Sequence, residues 1–207
     1  MMKLAIYGAG GHAKVVVELA KQLGYQTICL FDERWQELDE AEGCQVIGGW
    51  AEMLSFFTTN TDYDVHVAIG NNSTRLSRLQ QLQRLGLKLP ILIHPKAHVC
   101  ASARLGEGSV VMANSTISVG VSLGIGNIIN HNSSVDHDVQ LGDCVHVCPG
   151  VHLAGEVSVG DESMLGIGSC VIQGIIIKER VLVGAGAVVV KDVKSAEKVF
   201  GNPAKTP

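Results

Sequence analysis

From position 99 to position 189 an aliphatic residue stands at every sixth place without a miss, from Val99, Leu105, Val111 and Ile117 through to Ile177, Val183 and Val189. The position two residues earlier is small or β-branched almost throughout, as at Ala103, Ser109, Ser115, Val121, Ser133, Val145, Val157 and Ser169. A period of six fits neither the 3.6 of a helix nor the alternation of a lone strand; fixed short repeats of this kind mark solenoids. Three hexapeptides close one triangular coil of about 18 residues, and both inward sets line its interior. Gly106, Gly124, Gly142 and Gly160 recur at the coil interval, and Gly166 and Gly184 do so at another corner. Positive φ or tight packing excludes larger residues there. The stretch contains no Phe, Tyr or Trp, which suits a narrow interior of Val, Leu, Ile, Ala and Ser. About five coils at a strand spacing of ~4.8 Å give a prism about 24 Å long.

Upstream of this repeat the pattern is α/β. Lys3 to Tyr7 reads as a strand, Gly11 to Leu23 as a helix with an apolar stripe through Val15, Val16, Leu19 and Leu23, and Gln26 to Phe31 as a second strand. A strand at Asp64 to Ile69, a helix from Ser73 to Leu85 and a short strand at Pro90 to Ile93 complete a small domain. The expected organisation is a Rossmann-like domain over residues 1–93 and a left-handed parallel β-helix with a C-terminal tail over 94–207.

A net charge of −4 with 16 Lys and Arg supplies no broad basic surface, so nucleic acid is not the expected partner. The apolar runs are strand-sized and Gly-interrupted, shorter than the roughly 20 residues a membrane span needs. Met1 to Gly8 reads as a strand and turn rather than a secretory signal, and the expectation is a cytoplasmic protein. Six scattered cysteines without a CxxC pair agree with a reducing compartment.

Gly8, Gly10 and Ala13 match a GxGxxA fingerprint between strand and helix, where N-terminal amides hold phosphate, and Asp32 stands where a ribose-binding acid belongs. Alone, this pattern fits NAD and a dehydrogenase. Downstream, His137 follows the inward Val135 by two residues, so it projects from a face or corner, flanked by Asp136 and Asp138. A histidine beside a carboxylate suits general-base work near neutral pH. Zinc held by stacked histidines is disfavoured, because no two histidines of the repeat stand one coil apart.

Five segments together carry a resemblance: Tyr7-Gly8-Ala9-Gly10-Gly11-His12, Leu30-Phe31-Asp32-Glu33, Ala68-Ile69-Gly70-Asn71-Asn72, Asn132 through Asp138, and Gly201-Asn202-Pro203-Ala204-Lys205. The chain resembles the bacterial sugar acetyltransferases that join a Rossmann-like domain to a left-handed β-helix, including the UDP-4-amino-sugar N-acetyltransferases of bacillosamine biosynthesis and the sialic acid O-acetyltransferases. The resemblance implies acetyl transfer from acetyl-CoA to the 4-amino group of a UDP-4-amino-4,6-dideoxy-N-acetylhexosamine for glycan biosynthesis, without a metal. It implies a homotrimer with active sites between subunits. His137 falls on the family's catalytic histidine and Asp138 on its acid, which is Glu in the bacillosamine enzymes. His146, Gly155, Ile167 and Lys205 fall on acetyl-CoA positions, with the Gly155 N–H suited to the oxyanion. Gly10, Gly11, His12, Asp32, Glu33 and Asn71 fall on the UDP-sugar site. The same residues serve an O-acetyltransferase equally, and a non-catalytic UDP-sugar-binding trimeric scaffold would need only the nucleotide site. Direct transfer needs no covalent enzyme intermediate, but Cys144 and Cys148 lie close enough in sequence to make one worth testing.

Overall fold

The computed structural model describes residues 1–207, which divide into two compact units, Met1–Leu92 and Ile93–Pro207.

The first unit is built on a three-stranded parallel sheet. Strand β1 (Met2–Tyr7) lies between β2 (Tyr25–Phe31) and, after a β3–β4 hairpin (Glu40–Ala41, Cys44–Gln45), the strand β5 (Asp64–Val67). Helix α1 (Gly11–Gln22) links β1 to β2, α2 (Trp50–Phe56) precedes β5, and α3 (Asn72–Arg84) follows it. Leu4, Ala5 and Ile6 are wholly buried, as expected for a parallel strand covered on both faces. The apolar stripe of α1 is rotated from its expected course. Ala13, Val16, Val17 and Ala20 are buried, an i, i+3, i+4, i+7 set, while Val15 is exposed. Sequence pattern alone missed the hairpin and α2, both too short to carry a period.

The second unit is a left-handed parallel β-helix whose three faces carry seven, six and four strands. Each strand pairs with the one a coil later, as Ile128 with His146 on the first face, Ser134 with His152 on the second and Gln140 with Ser158 on the third. The inward residues Val111, Ile117, Ile129, Val135, Val147 and Leu165 are wholly buried in one continuous core. The solenoid is longer than the five coils expected. Leu92–Ile93, read from sequence as the last strand of the α/β domain, instead opens the seven-stranded face. Lys198–Val199 closes it, paired with Leu182–Val183 sixteen residues back rather than eighteen. The period slips by two after Val189, so that Val193 bridges Ile177 and the strict six-residue count ends one coil early.

The stacked glycines resolve the choice between positive φ and close packing in favour of packing. Gly124 has ordinary φ, but a Cβ there would collide with the Asp143 carboxylate and the Gly142 backbone of the next coil. The left-handed conformation falls on the second residue of the corners, including Asn132, Asp138, Cys144 and Glu156. No helix is long and apolar enough to cross a membrane.

Candidate active site

His137 and Asp138 form the turn between the second and third faces of the β-helix. Asp138 adopts φ 60° there, a conformation Asp tolerates better than most residues. Its position is that of Gly120 one coil earlier, where any Cβ would collide with the Asp138 carboxylate. The backbone N–H of His137 donates to Asp136 Oδ1 at 2.7 Å, and its Nδ1 lies 3.0 Å from Asp138 Oδ2. A carboxylate only accepts, so Nδ1 carries the proton and the neutral ring keeps its lone pair on Nε2. The hydrogen bond that His137 donates to Asp138 is the main cause that raises the His137 pKa above its ordinary value, with the Asp136, Asp138 and Glu156 charges adding to it. The shorter acid thus reaches the imidazole. One coil later, a Cβ on Gly155 would overlap Cε1 and Nε2, so the bare glycine makes room for the ring.

The other sites read from sequence are spread round the prism. His146 lies on the first face, opposite the His137 corner, with Nε2 3.3 Å from Asn130 Nδ2. Ile167, 61% exposed, lies at the corner between the first and second faces. Lys205 is tied to Phe200 by two backbone hydrogen bonds, so the tail is not frayed and the lysine side chain is exposed. Within one chain the structure therefore brings His137, Asp138 and Gly155 together, and places His146 and Ile167 along a different face and its edge. A groove of about 550 Å³ runs along the second face beside the His137 corner, with Asp136, Ala154 and Gln173 on its wall. Cys144 is wholly buried and Cys148 4% exposed, and burial pushes the Cys148 thiol up to about 11. Neither offers an accessible thiolate for a covalent route. No group of three or more His, Cys, Asp or Glu side chains is placed to hold a metal ion.

At the carboxyl edge of the small sheet, Gly8 has φ 120° and a Cβ there would stand 2.6 Å from the Ala68 carbonyl oxygen. Gly10 caps α1 without a side-chain partner, no acid occupies the first turn, and Gly10 and Gly11 face open space. The helix N-terminus is thus free to meet an anion. Asp32 Oδ2 accepts from Ala9 N at 2.9 Å, while Oδ1 accepts from Arg34 N and Nε. Burial works against the Asp32 charge, but these hydrogen bonds outweigh it and hold the carboxyl below its usual range. Asp32 therefore braces the glycine loop. Asn71 caps α3, its Oδ1 accepting from Thr74 N and Ser73 Oγ. Glu33 accepts from the Tyr7 hydroxyl at 2.6 Å and lies 3.6 Å from Arg78, whose guanidinium stacks on Trp50 at 4.3 Å. Trp50 and Arg78 carried no sequence signal, since they converge on Tyr7 and Glu33 from separate elements.

A left-handed β-helix with a histidine–carboxylate pair on one corner defines the hexapeptide-repeat acyltransferases as the class. Residues 3–82 match the family described as PglD N-terminal domain. The chain is 34% identical over 117 residues to the UDP-N-acetylbacillosamine N-acetyltransferase of Bacillus subtilis (strain 168), a match over 55% of this chain and 52% of that protein, so it spans about half the length of that curated relative. It is similar to the acetyltransferase domain of PglB from Neisseria gonorrhoeae FA1090 in complex with acetyl coenzyme A, at 43% identity and TM-score 0.94 over 99% of this chain and 98% of that one. PerB from Caulobacter crescentus, in complex with CoA and GDP-perosamine, is similar at 36% identity and TM-score 0.94 over 100% of this chain and 98% of that one. The chain belongs to the bacterial sugar acetyltransferase family that includes the UDP-N-acetylbacillosamine N-acetyltransferases.

Proposed function

We propose that this protein transfers the acetyl group of acetyl-CoA to the 4-amino group of a UDP-4-amino-4,6-dideoxy-N-acetylhexosamine. The observation that carries the reading is the His137–Asp138 pair, with Nδ1 engaged and Nε2 left as the acceptor. The amine nitrogen attacks the thioester carbonyl, His137 Nε2 takes the amine proton, and the carbon–sulfur bond breaks to release CoA. The proton on the imidazole then passes to the departing thiolate. General-base catalysis of this kind contributes ~10²–10⁴-fold. The Gly155 N–H faces the developing oxyanion. Transfer is direct, in agreement with the burial of Cys144 and Cys148.

The chain works as a homotrimer. Support comes from the placement of His146 and Ile167, which lie along the face opposite the His137 corner and at its edge. A neighbouring β-helix presenting that face to His137 gathers His137, Gly155, His146 and Ile167 round one acetyl-CoA, whose phosphates meet Lys205. The nucleotide diphosphate binds the α1 N-terminus at Gly10, Gly11 and His12, with Asp32, Glu33 and Asn71 around it. Names of the relatives agree with an amino-sugar acceptor and an acetyl-CoA donor.

The test is thiol release from acetyl-CoA with the UDP-4-amino sugar, with free sialic acid and with no acceptor. Release with the amino sugar alone is expected. Release with sialic acid alone makes the protein an O-acetyltransferase, and nucleotide binding without any turnover makes it a scaffold.

A further inference from the structure

We infer that Arg75 is a positioning residue for the nucleotide diphosphate: it turns the carbonyl oxygens of Ile69 and Gly70 into the protein and so keeps the carboxyl edge of the small sheet open to an anion. This rests on the proposed nucleotide-sugar site and adds a residue that acts on it without touching the ligand. Arg75 lies early in α3, is 1% exposed and is the bulkiest wholly buried side chain of the protein. Its guanidinium donates from Nη1 to Ile69 O at 2.8 Å and to Gly70 O at 3.2 Å, and from Nη2 to Asn72 Oδ1 at 2.7 Å. All three acceptors belong to the segment that leads from β5 into α3 at the carboxyl end of the sheet. The planar fork of an arginine fixes several acceptors at set angles, which the single ammonium of a lysine does not.

An oxygen bonded to a buried guanidinium points inward. The outer side of the same segment is bare: a Cβ on Gly70 would meet open space, as it would on Gly10 and Gly11 at the N-terminus of α1. The segment is also pressed against the glycine loop. Ala68 N donates to Tyr7 O at 2.8 Å, and a Cβ on Gly8 would stand 2.6 Å from Ala68 O and 3.4 Å from Ile69 Cγ1. Asp32 holds the glycine loop from the β2 side through Ala9 N, and the segment anchored by Arg75 is its wall on the β5 side. A carbonyl released from Arg75 would bring its partial negative charge to the edge where the α1 amides offer positive charge, and would loosen that wall. Both changes weaken an anion held there. A buried cation is costly to keep, and a bound diphosphate nearby offsets that cost, because opposite charges attract strongly where solvent is excluded.

The experiment is calorimetric titration of the full chain with UDP and with inorganic pyrophosphate, on wild type, Arg75→Lys and Asn72→Ala, joined to steady-state kinetics with the UDP-4-amino sugar and acetyl-CoA. Arg75→Lys keeps a charge and loses the fork. Asn72→Ala keeps the arginine and removes one of its three acceptors at a half-buried position, so it carries the test should the first variant fail to fold. Arg75→Lys should weaken UDP and pyrophosphate binding and raise the nucleotide-sugar KM by about 10-fold, and Asn72→Ala should do so by about 3-fold. In both, kcat at saturating sugar and KM for acetyl-CoA should stay within about twofold of wild type, whereas a general loss of structure would move every parameter together. Wild-type affinity for UDP and pyrophosphate in every variant that folds overturns the inference and leaves the nucleotide site standing. So does a fall in kcat or a rise in acetyl-CoA KM as large as the effect on the nucleotide sugar. Binding of neither UDP nor pyrophosphate to the wild-type chain defeats the nucleotide-sugar reading itself, and the inference with it.

Discussion

The imidazole of His137 lies on the bare Cα of Gly155, one full coil further along the chain, and a methyl group there would overlap Cε1 and Nε2. Gly155 has no positive φ, so alanine is compatible with its backbone and the substitution acts on the ring alone. Gly155→Ala should swing His137 off Asp138 and lower kcat by about 10-fold or more, part of what the base supplies. Circular dichroism and the unfolding midpoint should stay near wild type. Unchanged kcat would show that the ring position read here is not the working one.

The Asp138 hydrogen bond raises the His137 pKa, and a histidine serving as the proposed base works only when neutral. Activity is then lost as pH falls through that raised value, placing the acid limb of kcat/KM above the ordinary imidazole value of about 6.5. Asp138→Asn removes the cause and should move the limb to lower pH while lowering the plateau. A pH profile whose acid limb does not move would remove Asp138 from this role.

Direct transfer requires no enzyme thiol. Cys144→Ala and Cys148→Ala should turn over like the wild type, and intact-mass analysis of the wild-type enzyme with acetyl-CoA alone should show no acetyl adduct on either residue. An adduct that disappears on adding acceptor would restore the covalent route.

Asn127 is wholly buried at an inward position that is otherwise small or β-branched. Its Nδ2 donates to the Gly124 and Gly142 carbonyls at 2.8 and 2.9 Å, and its Oδ1 accepts from Val145 N at 3.0 Å, joining neighbouring coils. Asn127→Ala leaves buried backbone groups without partners and should cost about 3 kcal/mol. Denaturant unfolding measures it; a loss well under 1 kcal/mol would mean that water replaces the amide.

The six-residue period made the β-helix legible because every coil repeats one local solution: an inward aliphatic, a small inward partner and a tight corner. His137 was legible for the same reason, since its distance from Val135 placed it outside the core. Where local pattern ends, so did the reading. Leu92–Ile93 looks like any short strand, and only its partner across the coil assigns it to the solenoid. The two-residue slip after Val189 hid the last coil. Val15 and Val17 are both apolar, and the choice of which faces inward is made by the sheet beneath them. Tyr7, Trp50 and Arg78 meet Glu33 only through tertiary packing, as Asn127 finds its carbonyls.

The central claim is that His137 is the base for acetyl transfer to an amino sugar. The most direct measurement is kcat/KM for thiol release from acetyl-CoA by wild type and His137→Ala, at saturating UDP-4-amino sugar. The account predicts a fall of about 10²-fold or more with the fold and nucleotide binding intact. A variant that turns over at the wild-type rate would contradict it and move the chemistry away from this corner.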